Sequence, residues 1–186
     1  MKAFLKQLRP AIMIFLALTV VCGAVYTAVI TGVSQLVFPR QANGSVITVT
    51  LKSGEKKEYG SALLAQEFSA PKYLIGRPMA VSNLSPVSDE QKKLVEERVD
   101  WWHGFDPGNK ADIPADLVTG SGSGADPNIS PAAAEHQVSR IARVRGMSED
   151  AVRDIIKKYT SGRFLGFIGE PAVNVLKVNL ALDGLI

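Results

Sequence analysis

The chain has 186 residues, with 21 lysines and arginines against 18 aspartates and glutamates, a net charge of +3. The bases are interspersed with acids, so the basic stripe that nucleic-acid binding requires is missing. The single cysteine, Cys22, excludes an internal disulfide framework.

Lys2, Lys6 and Arg9 open the chain, and residues 11–38 then follow without one charge. At about 1.5 Å per residue, roughly 20 helical residues cross a hydrocarbon core about 30 Å thick. The run exceeds that length, and also exceeds the apolar core of about 7–15 residues in a cleaved signal peptide. A lipobox-like cleavage at Val21-Cys22-Gly23-Ala24 would leave apolar sequence continuing beyond it. An uncleaved transmembrane helix is therefore expected over 11–38, its hydroxyls bonded back to their own helix. Three bases precede it and only Arg40 follows closely. The positive-inside rule then puts residues 1–10 in the cytoplasm and the 39–186 domain outside, in a single pass through the inner (plasma) membrane. Ala24, Ala28 and Gly32 recur at every fourth position, beside a row of Thr19, Gly23, Thr27 and Thr31. Small residues at that spacing (Gly23, Ala24, Ala28, Gly32) let a second membrane helix approach closely.

Pro39 ends the helix, and Asn43-Gly44 signals a turn. The β-branched run 46–51 reads as a strand, with 56–59 as its hairpin partner. A short helix is expected over 61–68, stopped by Pro71, and Pro78 and Pro86 keep the next stretch irregular. Ser88 with Gln91 makes a capping box for a helix burying Leu94, Val95, Val99 and Trp102, followed by a loop over 103–112. After a glycine- and proline-rich stretch, Ser130-Pro131 opens another helix, with Ala134, Val138, Ile141 and Ala142 on one face. Gly146 stops it, and Ser148 caps a further helix carrying Val152, Ile155, Ile156 and Tyr159. The two make an αα-hairpin. Residues 162–170 are apolar but interrupted by glycine. Leu176, Val178, Leu180 and Leu182 alternate with Lys177, Asn179, Ala181 and Asp183, which predicts a C-terminal strand. The fold class is α+β: one N-terminal transmembrane helix, then a single domain with a small sheet and several short helices.

No residue set demands catalysis. The run Gly120-Ser121-Gly122-Ser123-Gly124 lacks the lysine of a phosphate-binding loop, so Gly120, Gly122, Gly124 and Asp126 are read as a structural loop. Neither Ser121 nor Ser123 has glycines two residues away on both sides, as a nucleophile elbow needs. Asp126, Asn128 and Ser130 have the spacing of a calcium loop, but Pro131 and Gln137 stand where glycine and glutamate are needed. His103 and His136 are isolated, so no metal site is expected. Trp101-Trp102 reads as a core or interface anchor. Ser53-Gly54-Glu55-Lys56 matches a bare S-x-x-K and sustains one alternative, a membrane-anchored extracytoplasmic hydrolase using Ser53 and Lys56. An adhesion or scaffold domain is a third.

Residues 114–131, PADLVTGSGSGADPNISP, resemble the signature of the KdpC family, the C subunit of the bacterial potassium-transporting ATPase. The likeness continues through Gln137-Val138, Arg140-Ile141-Ala142, Gly146 and Arg163, and is strongest over 165–176, LGFIGEPAVNVL, and 179–183, NLALD. Residues 38–45 and Arg77-Pro78 match too. Departures are Met79, Gly120, Ala125 and Asn128, and a shortened glycine–serine stretch before Ser82-Asn83-Leu84, a stretch likened to a nucleotide-contacting element. The resemblance implies a non-catalytic accessory subunit. Its partners would be a potassium-channel-like subunit and a P-type ATPase subunit that carries the phosphorylated aspartate. It implies a part in assembly, with no firmly bound cofactor and ATP as a candidate reached through the complex. Two finer roles stand open: raising ATP affinity, or shaping the outer potassium entrance. An outside location, where ATP is scarce, favours the stabilising and entrance-shaping role.

Overall fold

A computed structural model describes residues 2–80 and 83–186, with side chains from Lys6 onward. Ser82 of the Ser82-Asn83-Leu84 match lies outside the described residues. The chain divides into two compact units, Met1–Val46 and Ile47–Ile186.

The first unit is a long apolar helix. Helix α1 (Lys2–Leu18) runs into π-helical turns over Thr19–Tyr26 and then α2 (Thr27–Val37). The stretch Lys6–Val37 is long and apolar enough to cross a membrane, which fits a single-pass membrane protein. Its hydroxyls bond to their own helix: Thr19 Oγ1 donates to the Phe15 carbonyl (2.8 Å), and Thr27 Oγ1 to that of Cys22 (3.3 Å). Phe38 leaves helical geometry, and Pro39 begins the single turn α3 (Pro39–Ala42). Proline is well placed there, because the first helical N–H has no intrahelical acceptor. Asn43 Nδ2 donates to Gln35 Oε1 (3.0 Å), tying the exit back to the end of α2.

The second unit is α+β. Strands β1 (Val46–Thr50) and β2 (Lys56–Ser61) pair across the turn at 51–55. A second sheet has the order β3 (Asn128–Ile129), β5 (Ala172–Asn174), β4 (Thr160–Ser161), all antiparallel. Ile129 and Thr160 both face Val173 across the ladder. Helix α4 (Asp89–Phe105) starts as expected, with Ser88 Oγ accepting from the Gln91 N–H (3.2 Å). It runs to Phe105, taking in His103, Gly104 and Phe105, three positions expected to begin a loop. Ser130 and Ser148 cap α5 (Pro131–Glu135) and α7 (Glu149–Lys158) in the same way. Gly146, at φ 65°, closes α6 (Val138–Arg145) in the left-handed conformation that glycine adopts without a Cβ clash. The helix expected from Ser130 onward is broken at His136–Gln137, where the His136 carbonyl accepts from Asn109 Nδ2 (2.8 Å). The core gathers Leu74, Trp102, Leu117, Ile129, Val138, Ile141, Val152, Val173 and Val178.

Two expectations are overturned. Residues 61–68 form no helix. Ser61 Oγ takes the Leu63 N–H (3.0 Å), and the Ala65 N–H goes to the Ala125 carbonyl (2.9 Å), so local and cross-chain acceptors replace the helical ladder. The C-terminal segment is not a strand but helix α8 (Val175–Leu182), capped by Asn174 Oδ1, which accepts from the Lys177 N–H (3.1 Å). Leu176, Val178, Leu180 and Leu182 are buried as the alternation required, but so are Val175 and Asn179. A helix buried on nearly all sides has no polar stripe to reveal its period. Only its approach, β5, enters the sheet.

Candidate functional site

Buried polar side chains organise the domain. Residues 71–75 have neither helix nor strand, yet Leu74 is fully buried. A buried backbone amide without a partner is costly, so each must be met. Asn179, inside α8, accepts the Leu74 N–H at Oδ1 (2.8 Å) and donates Nδ2 to the Leu74 carbonyl (2.9 Å). Gln137 does the same for Ile75, at 2.8 and 3.0 Å. Arg140 donates Nη1 to the carbonyls of Pro71 and Tyr73, and Nη2 to Gln137 Oε1 (2.6 Å), with its guanidinium over the Phe105 ring. Burial pulls its pKa down to about 10. Arg145 finishes the set, donating to the Lys72 and Leu182 carbonyls and pairing with Asp183 (2.8 Å). Side chains thus stand in for the sheet neighbours this extended segment lacks.

The glycine loop is pinned in a similar way. Trp102 Nε1 donates to the Leu117 carbonyl (3.1 Å), Arg98 Nη1 to that of Val118 (2.9 Å), and Arg77 Nη2 to that of Gly120 (3.2 Å). A Cβ on Gly120 would stand 2.6 Å from the Ala80 carbonyl oxygen, so glycine is required there. Gly124 has φ 68°, another glycine conformation, while Gly122 faces open space. Asp126 Oδ1 accepts from the Asn128 N–H (2.9 Å) and closes the loop's end. Arg77, Arg98, Trp101 and Phe68 line a cavity of about 410 Å³ beside it. Arg77 stood out in the sequence only as part of the Arg77-Pro78 family match, and Arg98 was not singled out at all. For Arg98 the signal was present, since Leu94, Arg98 and Trp102 stand four apart on one face of α4.

Gly23 and Ala24 lie in the π-helical turns, and Ala28 and Gly32 in α2. Ala28 and Gly32 therefore share a face. The π turns bond five residues apart rather than four, which rotates Gly23 and Ala24 away from a straight row. A Cβ at Gly23 or Gly32 would meet nothing within 4 Å among the described residues.

Ser53 sits on the exposed β1–β2 turn, where Oγ accepts from the Glu55 N–H (3.4 Å). His136 is 3.4 Å from Asn109 Nδ2, in a pocket with Asp106, Asp112 and Arg143. Burial lowers its pKa, with Asp106 opposing and Arg140 reinforcing. Among the described residues no three His, Cys, Asp or Glu side chains are grouped to hold a metal ion. The buried polar side chains Asn179, Gln137, Arg140, Arg98 and Trp102 thus bond mainly to the domain's own backbone.

Comparison with known proteins gives consistent matches. The family model described as KdpC: K+-transporting ATPase, c chain, matches residues 8–184. A potassium-transporting ATPase KdpC subunit of Listeria welshimeri is 53% identical over 188 residues, covering 100% of this chain and 99% of that one. Similar proteins of the same description occur in Clostridium perfringens, 47% identical over 98% of this chain and 99% of the relative, and in Clostridium botulinum, 47% identical over 100% of both.

Proposed function

This chain belongs to the KdpC family of potassium-transporting ATPase subunits, and on that premise we propose that it is a non-catalytic accessory subunit that holds the transport complex together. The observation that carries the reading is the division of labour between its two units. The helix offers Ala28 and Gly32 on one face, with open space at Gly32 among the described residues, which suits docking on a membrane helix of a channel-like subunit. The domain spends Arg140, Gln137, Asn179 and Arg98 on fixing its own backbone, which suits a rigid docking body rather than a catalyst. The basic flank of Lys2, Lys6 and Arg9 supports an outside location for the domain. There it would act on assembly and on the outer potassium entrance, not on ATP affinity.

The experiment is purification of the tagged full chain in mild detergent from cells expressing the whole transport system. The expected result is co-purification with the channel-like and P-type ATPase subunits, and no hydrolase activity from this chain alone. Recovery as an active hydrolase without partners would favour Ser53 and Lys56 and overturn the reading.

A further inference from the structure

The link between β4 and β5 carries a feature the docking helix and the rigid domain do not use. Residues 164–168, Phe-Leu-Gly-Phe-Ile, form a tight hairpin tip. The Phe164 N–H meets the Ile168 carbonyl at 2.8 Å, and the Ile168 N–H returns to Phe164 at 2.9 Å. Leu165 and Gly166 turn the chain with φ of 52° and 83°. Arg163 and Glu170 close the base with an ion pair of 2.8 Å. The tip's four large apolar side chains are each between 50% and 73% exposed. A branched residue held at positive φ, presenting apolar groups to water, is costly on both counts. Such a patch marks a surface that is covered in use.

Charge around the root of this finger indicates what covers it. An open groove there is lined by Lys158, Lys177, Tyr159, Thr160, Ser161 and Leu63. Neither lysine has an acidic partner among the described residues. An apolar tip above a cationic collar is the pattern of an interfacial membrane anchor, with apolar groups among acyl chains and ammonium groups at lipid phosphates. The covalent tether permits it: nine residues separate Val37 from Ile47, and fully extended they reach at most about 30 Å.

We infer that the 164–168 finger inserts into the surface of the bilayer and that Lys158 and Lys177 bind the phosphates of anionic lipids at its root. The inference rests on reading Lys6–Val37 as a membrane anchor and holds for either orientation of the chain. The test uses the full chain with Cys22→Ser and Phe167→Cys, labelled with an environment-sensitive fluorophore. It is reconstituted into vesicles of equal parts phosphatidylcholine and phosphatidylglycerol, or of phosphatidylcholine alone. The probe should shift to the blue and be quenched by spin-labelled lipid in the anionic vesicles, while the same probe at Glu55→Cys should not. Replacing Lys158 and Lys177 with glutamine should lower the buried-to-exposed ratio of the probe by roughly fivefold per lysine in anionic vesicles only. A probe that stays in water in both vesicle types overturns the proposal. So does shielding that arises only when the other transport subunits are co-reconstituted, since the finger would then dock on protein. Release of the chain by alkaline carbonate removes the anchor premise and this inference with it. Failure to co-purify with partner subunits while the probe is buried overturns the accessory role and leaves the finger's insertion supported.

Discussion

Arg140 is one of the buried side chains that hold the irregular 71–75 segment. It is about 1% exposed and reaches two carbonyls of the 71–75 segment as well as Gln137. Replacing it with methionine keeps the bulk against Phe105 but leaves the Pro71 and Tyr73 carbonyls without their donor. At about 1–3 kcal/mol for each unsatisfied buried group, Arg140→Met should cost about 2–6 kcal/mol. Thermal unfolding followed by circular dichroism should show a midpoint lowered by roughly 10 °C; an unchanged midpoint refutes the account. His136 gives a pH signature. Burial lowers its folded pKa, so the unfolded chain takes up the proton more readily. Its contribution is complete above the unfolded value of about 6.5 and is lost as pH falls through the folded value. The denaturant midpoint should therefore drop between about pH 7.5 and about pH 5.5. His136→Gln should flatten part of that drop, and equal slopes in the two proteins would reject the role.

At the scale of elements, start and stop signals were legible and periodicity was not always so. Ser88, Ser130 and Ser148 each cap the helix that follows, and Gly146 ends one. These are local effects: a side-chain oxygen and the next few N–H groups decide them. The C-terminal alternation misled because α8 is buried on almost every side, with Asn179 turned inward to hold Leu74. Residues 61–68 misled because Ser61 takes the Leu63 and Leu64 N–H groups locally and the Ala125 carbonyl, sixty residues away, takes that of Ala65. In the long helix, the π turns over Thr19–Tyr26 change the facing of Gly23 and Ala24 relative to Ala28 and Gly32. The prediction is correspondingly sharper. Gly32→Leu should weaken detergent-resistant assembly with the partner subunits, and Gly23→Leu should do so less, read as the fraction retained on size-exclusion chromatography. Equal retention of both variants and the unaltered chain removes the idea that α2 is the packing face.

For the whole molecule, two units on a short tether frame the remaining question of side. On the proposed reading, Lys2, Lys6 and Arg9 before the helix, against Arg40 after it, predict a domain on the outer side. Protease added to intact spheroplasts should therefore digest the Ile47–Ile186 unit, while protection until lysis reverses the orientation and reopens a role near ATP. The sequence marked 164–168 as an interrupted apolar segment and 165–176 as a family match, but not the tip's exposure, because hydrophobicity alone does not distinguish a core strand from a tip in water. The cavity beside the glycine loop was also invisible, since its Arg77, Trp101 and Phe68 are far apart in the chain.

The sequence by itself determined what depends on neighbouring residues: the membrane-length helix, the caps, the glycine stops and the family-specific runs at 114–131 and 165–183. The close approach of the Ala80 carbonyl oxygen to Gly120 is a tertiary contact that the sequence does not display. Only the tertiary structure decided that 175–182 is a helix, that 71–75 is held by Asn179, Gln137 and Arg140, and that the apolar finger faces outward. Those outcomes turn on which distant groups meet a given backbone amide or cover a given side chain. Burial and long-range hydrogen bonding set that choice, and neither is a property of a short stretch of chain.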